Sequence, residues 1–362
     1  MKSVNFSFSY LFPVVVSVIY DDGALHVFLK TLAILSATGV IGLIYTRNIK
    51  NDLSQKDGFV IIVMFWMILS IAGSIPFYLS GLSFIDSFFE SMSGITTTGA
   101  TVIANIDNLP ESILFYRQLL QWMGGMGLIV LAIAVMPLLG IGGGQIYKTE
   151  IPGAMGEQRL TPRIKETAQA LWLIYLGLTI VCGVLYYFAG MSAFDAIAHS
   201  MSTVAIGGFS THSDSIGFFN SLTIELICII FMLLSAFSFT LHYFAVYKRK
   251  PLKYLYDPEF RFFLFMLTLV FLIALIIGLT SNNTQSPNIR QIVFHTVSMI
   301  STTGFSISDT SDWPFSISFL LLIGAFVGAC SGSVGGGVKS WRLMIMLNHA
   351  YSNIMKIIHP SS

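Results

Sequence analysis

Apolar runs set the segmentation of this chain. They lie at about 9–20, 25–46, 58–80, 115–141, 168–190, 217–246, 260–280 and 314–348. A membrane-crossing helix needs roughly 20 apolar residues, so the pattern predicts an all-α polytopic membrane protein with room for about eight to ten spans. The connections are of two kinds. Segments 47–57, 141–168, 247–261 and the tail after 338 are polar and basic, whereas 21–24, 81–114, 191–216 and 281–313 are rich in Gly, Ser and Thr and nearly free of Lys and Arg.

Composition excludes the main alternatives. The 362 residues are 54% hydrophobic and 10% charged, with mean hydropathy +0.77. A soluble domain carries about a quarter charged residues, so a soluble enzyme is ruled out. The net charge of +1 offers no basic field for nucleic acid. Cys182, Cys228 and Cys330 sit inside apolar runs and form neither a disulfide framework nor a zinc site. Lys2 before a short apolar run suggests a signal peptide, but Pro13, the missing A-x-A-like site and Asp21-Asp22 argue for retention.

The cations fix an expected orientation. Lys2, the three basic connections and the segment after 338 hold 16 of the 19 Lys and Arg, leaving Lys30, Arg117 and Arg290 elsewhere. By the positive-inside rule the basic loops and both termini are cytoplasmic.

The Gly/Ser/Thr-rich connections hide a repeat. Asp86–Thr101 (DSFFESMSGITTTGAT), Asp195–Ser210 (DAIAHSMSTVAIGGFS) and Gln291–Ser306 (QIVFHTVSMISTTGFS) align without gaps. In each, about ten amphipathic residues lead to a Ser (Ser93, Ser202, Ser298) and, six residues later, to a Gly (Gly99, Gly208, Gly304). The glycines are 109 and then 96 residues apart. The implied unit is span, short half-helix, Gly-containing segment, span. A ten-residue helix cannot cross the bilayer, so the segment must dip in from outside and return. Irregular backbone at membrane depth is tolerated where it is buried or lines a watery cavity.

That constraint suggests a cation site. A half-helix running inward points its partially negative end at the membrane centre. Carbonyls turned toward one axis after it replace the hydration shell of a potassium ion. Thr97, Thr98, Ile206, Gly207, Thr302 and Thr303, with Gly99, Gly208 and Gly304, are the candidate filter residues. The alternative is that small residues merely pack helices; three such segments in register weigh against it.

On SGITTTGATV, FYRQLLQWMGGMGLIVLAIAVMPLLG, AFDAIAHSMSTVAIGGFSTH, YDPEFR and ACSGSVGGGVKSWR, the sequence resembles the TrkH/KtrB/HKT superfamily of potassium-uptake proteins, the bacterial TrkH branch above all. The resemblance implies a potassium-channel-like architecture of four M–P–M units (helix, re-entrant pore loop, helix) behind two N-terminal helices. It also implies a homodimer in the bacterial inner membrane and a cytosolic TrkA-type nucleotide-binding regulator. The family's coordinating positions map onto the same filter residues, with no cofactor and with potassium as the transported ion, moved by the membrane potential or by a symporter's coupling to another ion. The expected organisation is an N-terminal helix pair at 1–46, units at 58–141, 168–246 and 260–348, and a tail at 349–362. With repeats about 100 residues apart, a fourth key Gly falls at about 400. The fourth unit and the pore-facing Arg of the family's last helix are therefore expected to be absent, with Arg342 no substitute.

Other residues carry weaker signals. GACSGSVGGGVK (328–339) fails the phosphate-loop pattern, since Val338 separates Gly337 from Lys339. Its glycines break a helix, and by resemblance it is an intramembrane gate, with Gly332, Ser333, Gly335, Gly336, Gly337 and Lys339 as gate residues. Lys339 either repels cations or marks the cytoplasmic boundary. Asp86, Glu90 and Asp195 are placed at the outer mouth, Asp86 and Asp195 more as helix caps than as a cation-concentrating ring. His199 and His295 read as packing or hydrogen-bonding residues, Glu225 as interfacial, and Gly124, Gly125 and Gly127 as close-packing positions. No metal-ligand spacing, nucleophile elbow or triad is present, so catalysis is not indicated. A secondary transporter of an organic solute is the rival reading, but such folds often use inverted repeats.

Overall fold

The computed structural model describes residues 9–46, 55–135, 164–281 and 286–358. Most of the basic connections 47–57 and 141–168 lie outside them. Among the described residues the chain is helical and has no strand. The helices are α1 (Leu11–Tyr20), α2 (Leu25–Thr46), α3 (Gln55–Leu79), α4 (Phe84–Ile95), α5 (Glu111–Val135), α6 (Ile164–Phe188), α7 (Ala193–Val204), α8 (Leu222–Ala236), α9 (Phe239–Val246), α10 (Lys253–Tyr256), α11 (Pro258–Thr280), α12 (Ile289–Ile300), α13 (Phe315–Val327) and α14 (Ser340–Ile358).

The segments Leu25–Gly42, Gln169–Phe188 and Pro258–Thr280 are long and apolar enough to cross a membrane, and most of each faces outward. Water would not tolerate that much contiguous apolar surface, but lipid does. The buried residues form three clusters. One gathers Tyr10, Phe28, Phe77, Ile95, Tyr116 and Leu120 around α3–α5, with α1 packed onto it. The second surrounds Tyr175, Tyr186, Phe231, Phe239 and Phe294, and the third Phe263, Ile300, Ile317 and Leu321. Within the first, the Tyr116 hydroxyl donates to the Gly73 carbonyl at 2.9 Å and meets the Tyr10 hydroxyl at 3.1 Å. Buried phenols thus find partners in an otherwise apolar cluster.

Two apolar stretches are broken, one that reads as a single span and one at the glycines expected to break it. The 217–246 stretch divides into α8 and α9, bent by 98° at Phe237-Ser238. The 314–348 stretch divides into α13 and α14 around the Gly-rich segment 328–339. These two breaks hold each other. Phe239 N–H donates to the Gly332 carbonyl and Cys330 N–H to the Ala236 carbonyl, both at 3.0 Å. Backbone groups freed at each break are satisfied by the other, as membrane depth demands. Helix α14 continues through Ile358, past position 349, where the pattern had placed the start of the tail.

Candidate functional site

Three of the helices are short and alike. α4, α7 and α12 have 12 residues each, about 18 Å at the α-helical rise. Their caps are Ser83, Ser192 and Asn288, whose side chains accept from the backbone N–H of Asp86 (3.2 Å), Asp195 (3.0 Å) and Gln291 (2.9 Å). This corrects the sequence reading of Asp86 and Asp195 as caps. Both sit at the third helical position and accept from the capping serine hydroxyl at 2.7 Å.

Each half-helix ends in the same way. Thr97, Ile206 and Thr302 take left-handed conformations, with φ of 55°, 54° and 66°, and donate to the carbonyls of Gly94, Thr203 and Met299. The next residues, Thr98, Gly207 and Thr303, donate back to Ser93, Ser202 and Ser298 at 2.8–2.9 Å. This double closure satisfies the last helical carbonyls. Because the peptide is planar and trans, N–H groups turned back toward the helix leave the carbonyls of Thr96 and Thr97, Ala205 and Ile206, and Ser301 and Thr302 pointing away from it. Gly99, Gly208 and Gly304 then return to positive φ, at 79°, 80° and 84°.

The three segments nest in order. A side chain on Gly99 would strike the Gly207 carbonyl, and one on Gly208 would strike the Thr303 carbonyl. Nothing among the described residues lies within 4 Å of the corresponding position at Gly304. The segments therefore pack consecutively, the first against the second and the second against the third.

Helix α5 backs two of these segments. Arg117 and Glu90 form a fully buried ion pair at 2.8 Å. Arg117 also donates to the Ser210 carbonyl at 3.2 Å and lies 4.2 Å from the Phe209 ring centroid. Glu90 accepts from the Thr101 hydroxyl at 3.0 Å and from Val102 N–H at 3.3 Å. One turn further on, Gln121 reaches Gly207, Phe209 and Ser202. Gly124 lies against the Ile95 carbonyl, and Gly125 against Ala205, Tyr175 and Val334, while Gly127 is in ordinary contact with Trp66.

Beneath the third segment lies the Gly-rich loop. Gly336 N–H donates to the Thr302 hydroxyl at 2.7 Å. Lys339 Nζ donates to the carbonyls of Gly335 (2.6 Å) and Ser333 (3.3 Å). Glu259, buried at the start of α11, accepts from Ser331 N–H at 2.5 Å and Trp341 N–H at 3.2 Å, so one carboxylate holds both flanks of the loop.

This arrangement recurs in known proteins. A family model for TrkH, a cation transport protein, matches residues 24–362. The potassium uptake protein TrkH of Halomonas elongata is 49% identical over 361 residues, covering 99% of this chain and 75% of that protein. TrkH of Escherichia coli K12 is 44% identical over 366 residues, with 99% and 75% covered. The crystal structure of the potassium transporter TrkH from Vibrio parahaemolyticus superposes with a TM-score of 0.88 at 45% identity, covering 100% of this chain and 75% of that one. The chain belongs to the TrkH family. It is accordingly a membrane transport protein and not an enzyme.

Two carboxylates sit differently in this TrkH family member than their sequence context suggests, whereas His199 and His295 hydrogen-bond and pack as expected. Glu90 is no outer-mouth carboxylate, since it is buried against Arg117. Glu225 is buried as well, and receives a bidentate contact from Arg290 at 2.6 and 2.5 Å that ties α8 to α12. Asp195 accepts from the Thr211 hydroxyl at 2.7 Å and pairs with His212 at 3.3 Å. His199 is fully buried and spans Asp195 O and Ser210 Oγ, both at 2.9 Å. His295 contacts the Gln291 carbonyl at 3.0 Å and the edge of Trp313. His212, in the loop after α7, stacks on Phe218 and lies 3.4 Å from Asp107. Partial burial works against its charged form, but Asp195 and Asp107 outweigh it and hold the imidazole pKa above 6.5. Asp107 is held below the usual carboxylate range, chiefly by the Ser213 hydroxyl.

Sequence reading passed over Gln121, Arg117 and His212 as functional positions. The available signal was polarity: Arg117, Gln118 and Gln121 interrupt the apolar face of α5 at helical spacing.

Proposed function

We propose that this chain is the potassium-translocating subunit of a bacterial inner-membrane uptake system. Its filter is built from the segments Thr97-Thr98, Ile206-Gly207 and Thr302-Thr303, in which the carbonyls of Thr97, Ile206 and Thr302 are the ones directed away from their helices, and the glycines at 99, 208 and 304 permit the turns. What carries the reading is the nesting of three identical left-handed turns, each with its carbonyls directed away from its own helix. Such carbonyls can replace water around a dehydrated cation. The names of the relatives supply potassium as the ion.

A fourth segment of the same kind closes the ring at Gly304. The loop with Gly332, Ser333, Gly335, Gly336, Gly337 and Lys339 serves as the gate, since it lies directly under Thr302 and places an ammonium group there. The basic loops and both termini face the cytoplasm. A homodimer and a TrkA-type nucleotide-binding regulator complete the proposed system.

Replacing Gly99, Gly208 or Gly304 with Val tests the filter. The expected outcome is loss of potassium-limited growth and of rubidium uptake at unchanged membrane abundance. Normal uptake by all three variants would reject the filter.

A further inference from the structure

We infer that Gln121 is a positioning residue that sets the second filter segment and, through it, cation preference. The inference rests on the filter reading above and deepens it.

The three units differ at one point. In the first, the Ser93 hydroxyl closes onto its own segment, donating to the Ala100 carbonyl at 2.6 Å. In the third, Ser298 does the same to Phe305 at 2.7 Å. In the second, Ser202 donates instead to Gln121 Oε1 at 2.7 Å. The same oxygen accepts from Phe209 N–H at 3.1 Å, and Gln121 Nε2 donates to the Gly207 carbonyl at 2.6 Å. A fully buried amide from α5, 86 residues away in sequence from Gly207, is thus inserted where the other units use their own serine.

The chemistry of that insertion is specific. An amide presents a donor and an acceptor in one rigid plane. Its oxygen gathers both ends of the second turn, and its nitrogen holds the Gly207 carbonyl, which adjoins the outward-directed Ile206 carbonyl in the second filter segment. A carbonyl already accepting a hydrogen bond has a fixed direction and one lone pair fewer for an ion. Gly207 also lacks a side chain because Gln121 fills that space; a Cβ there would overlap the amide. Gln121 therefore makes the ring unequal, holding one carbonyl more firmly than its neighbours.

The test uses the purified full chain in detergent, with its melting temperature titrated separately with K+ and Na+. Gln121→Met keeps the volume and loses the amide. It is expected to lower the K+ over Na+ affinity ratio about fivefold, the equivalent of about 1 kcal/mol. Gln121→Glu donates to Gly207 only when protonated, so its ratio should fall as pH rises while the unsubstituted chain stays level. A structural filler would not produce that pH dependence. An unchanged ratio in Gln121→Met together with a pH-independent ratio in Gln121→Glu would overturn the role of Gln121. If the unsubstituted chain shows no K+-dependent stabilisation, or Gly208→Val retains it in full, the filter reading itself fails.

Discussion

Ile206 holds a conformation that β-branched residues avoid, at φ 54°. Such a residue costs about 1–3 kcal/mol and persists only where its surroundings over-determine it. Here they do: Ile206 is buried, bonded back to Thr203, and followed by a glycine held by Gln121. The glycines of the three turns are unequal for the same reason. Gly208→Ala adds a collision with the Thr303 carbonyl to the penalty of positive φ, whereas Gly304→Ala meets only the φ penalty. Thermal unfolding should therefore show Gly304→Ala destabilised by about 1 kcal/mol and Gly208→Ala by clearly more. The buried pair behaves differently again. Arg117→Met alone strands the Glu90 carboxylate and should destabilise by about 3–5 kcal/mol, while adding Glu90→Gln should recover most of that loss. A double-mutant cycle of melting temperatures checks it.

The loop histidine gives a signed pH effect. The folded pKa of His212 lies above 6.5, so the stability it contributes is fully present below that value and is lost as pH rises through the higher folded value. The melting temperature of the unsubstituted chain should thus decline over that window relative to His212→Gln. Equal pH profiles would refute the pairing with Asp195 and Asp107.

At the scale of elements, what sequence could and could not reveal divides by distance along the chain. The half-helices, their serines and the key glycines lie within sixteen residues of one another, and gap-free alignment exposed them. The Gly-rich helix break was also legible, because many glycines in an apolar run have no helical use. The elbow between α8 and α9 was not. Its sequence, Ser-Ala-Phe-Ser, carries no Gly or Pro, and the bend is stabilised by a loop about 90 residues away. The half-buried pair Glu225–Arg290 and the buried pair Glu90–Arg117 escaped for the same reason: each partner alone looks like a boundary charge. The loop itself yields a prediction. Lys339→Met removes the donor to Gly335 and Ser333, so hydrogen exchange of the 332–338 amides should rise several-fold while the core of α13 is unaffected. Equal protection would mean that the ammonium group does not hold the loop.

For the whole molecule, the three Gly-containing segments among the described residues pack in sequence, and a side chain at Gly304 would meet nothing within 4 Å among those residues. The chain spans 75% of the length of its TrkH relatives. If a fourth segment closes the ring, co-expression of a fourth M–P–M unit taken from such a relative should raise rubidium flux well above that of this chain alone, and the gain should vanish when the added unit's key glycine is replaced by Val. Flux above background that is equal with and without the added unit would show that three segments conduct without it, and background flux in both would reject the added unit as what closes the ring.

The paired breaks in the second and third units have a mechanical consequence. Helix α9 leaves the 98° elbow toward the basic segment at 247–253, and the first peptide beyond the elbow is fastened to Gly332 of the Gly-rich loop. A swing of α9 must either carry Gly332 with it or tear that hydrogen bond. The elbow is a crank: torque applied at the basic segment arrives at the Gly-rich loop as a displacement.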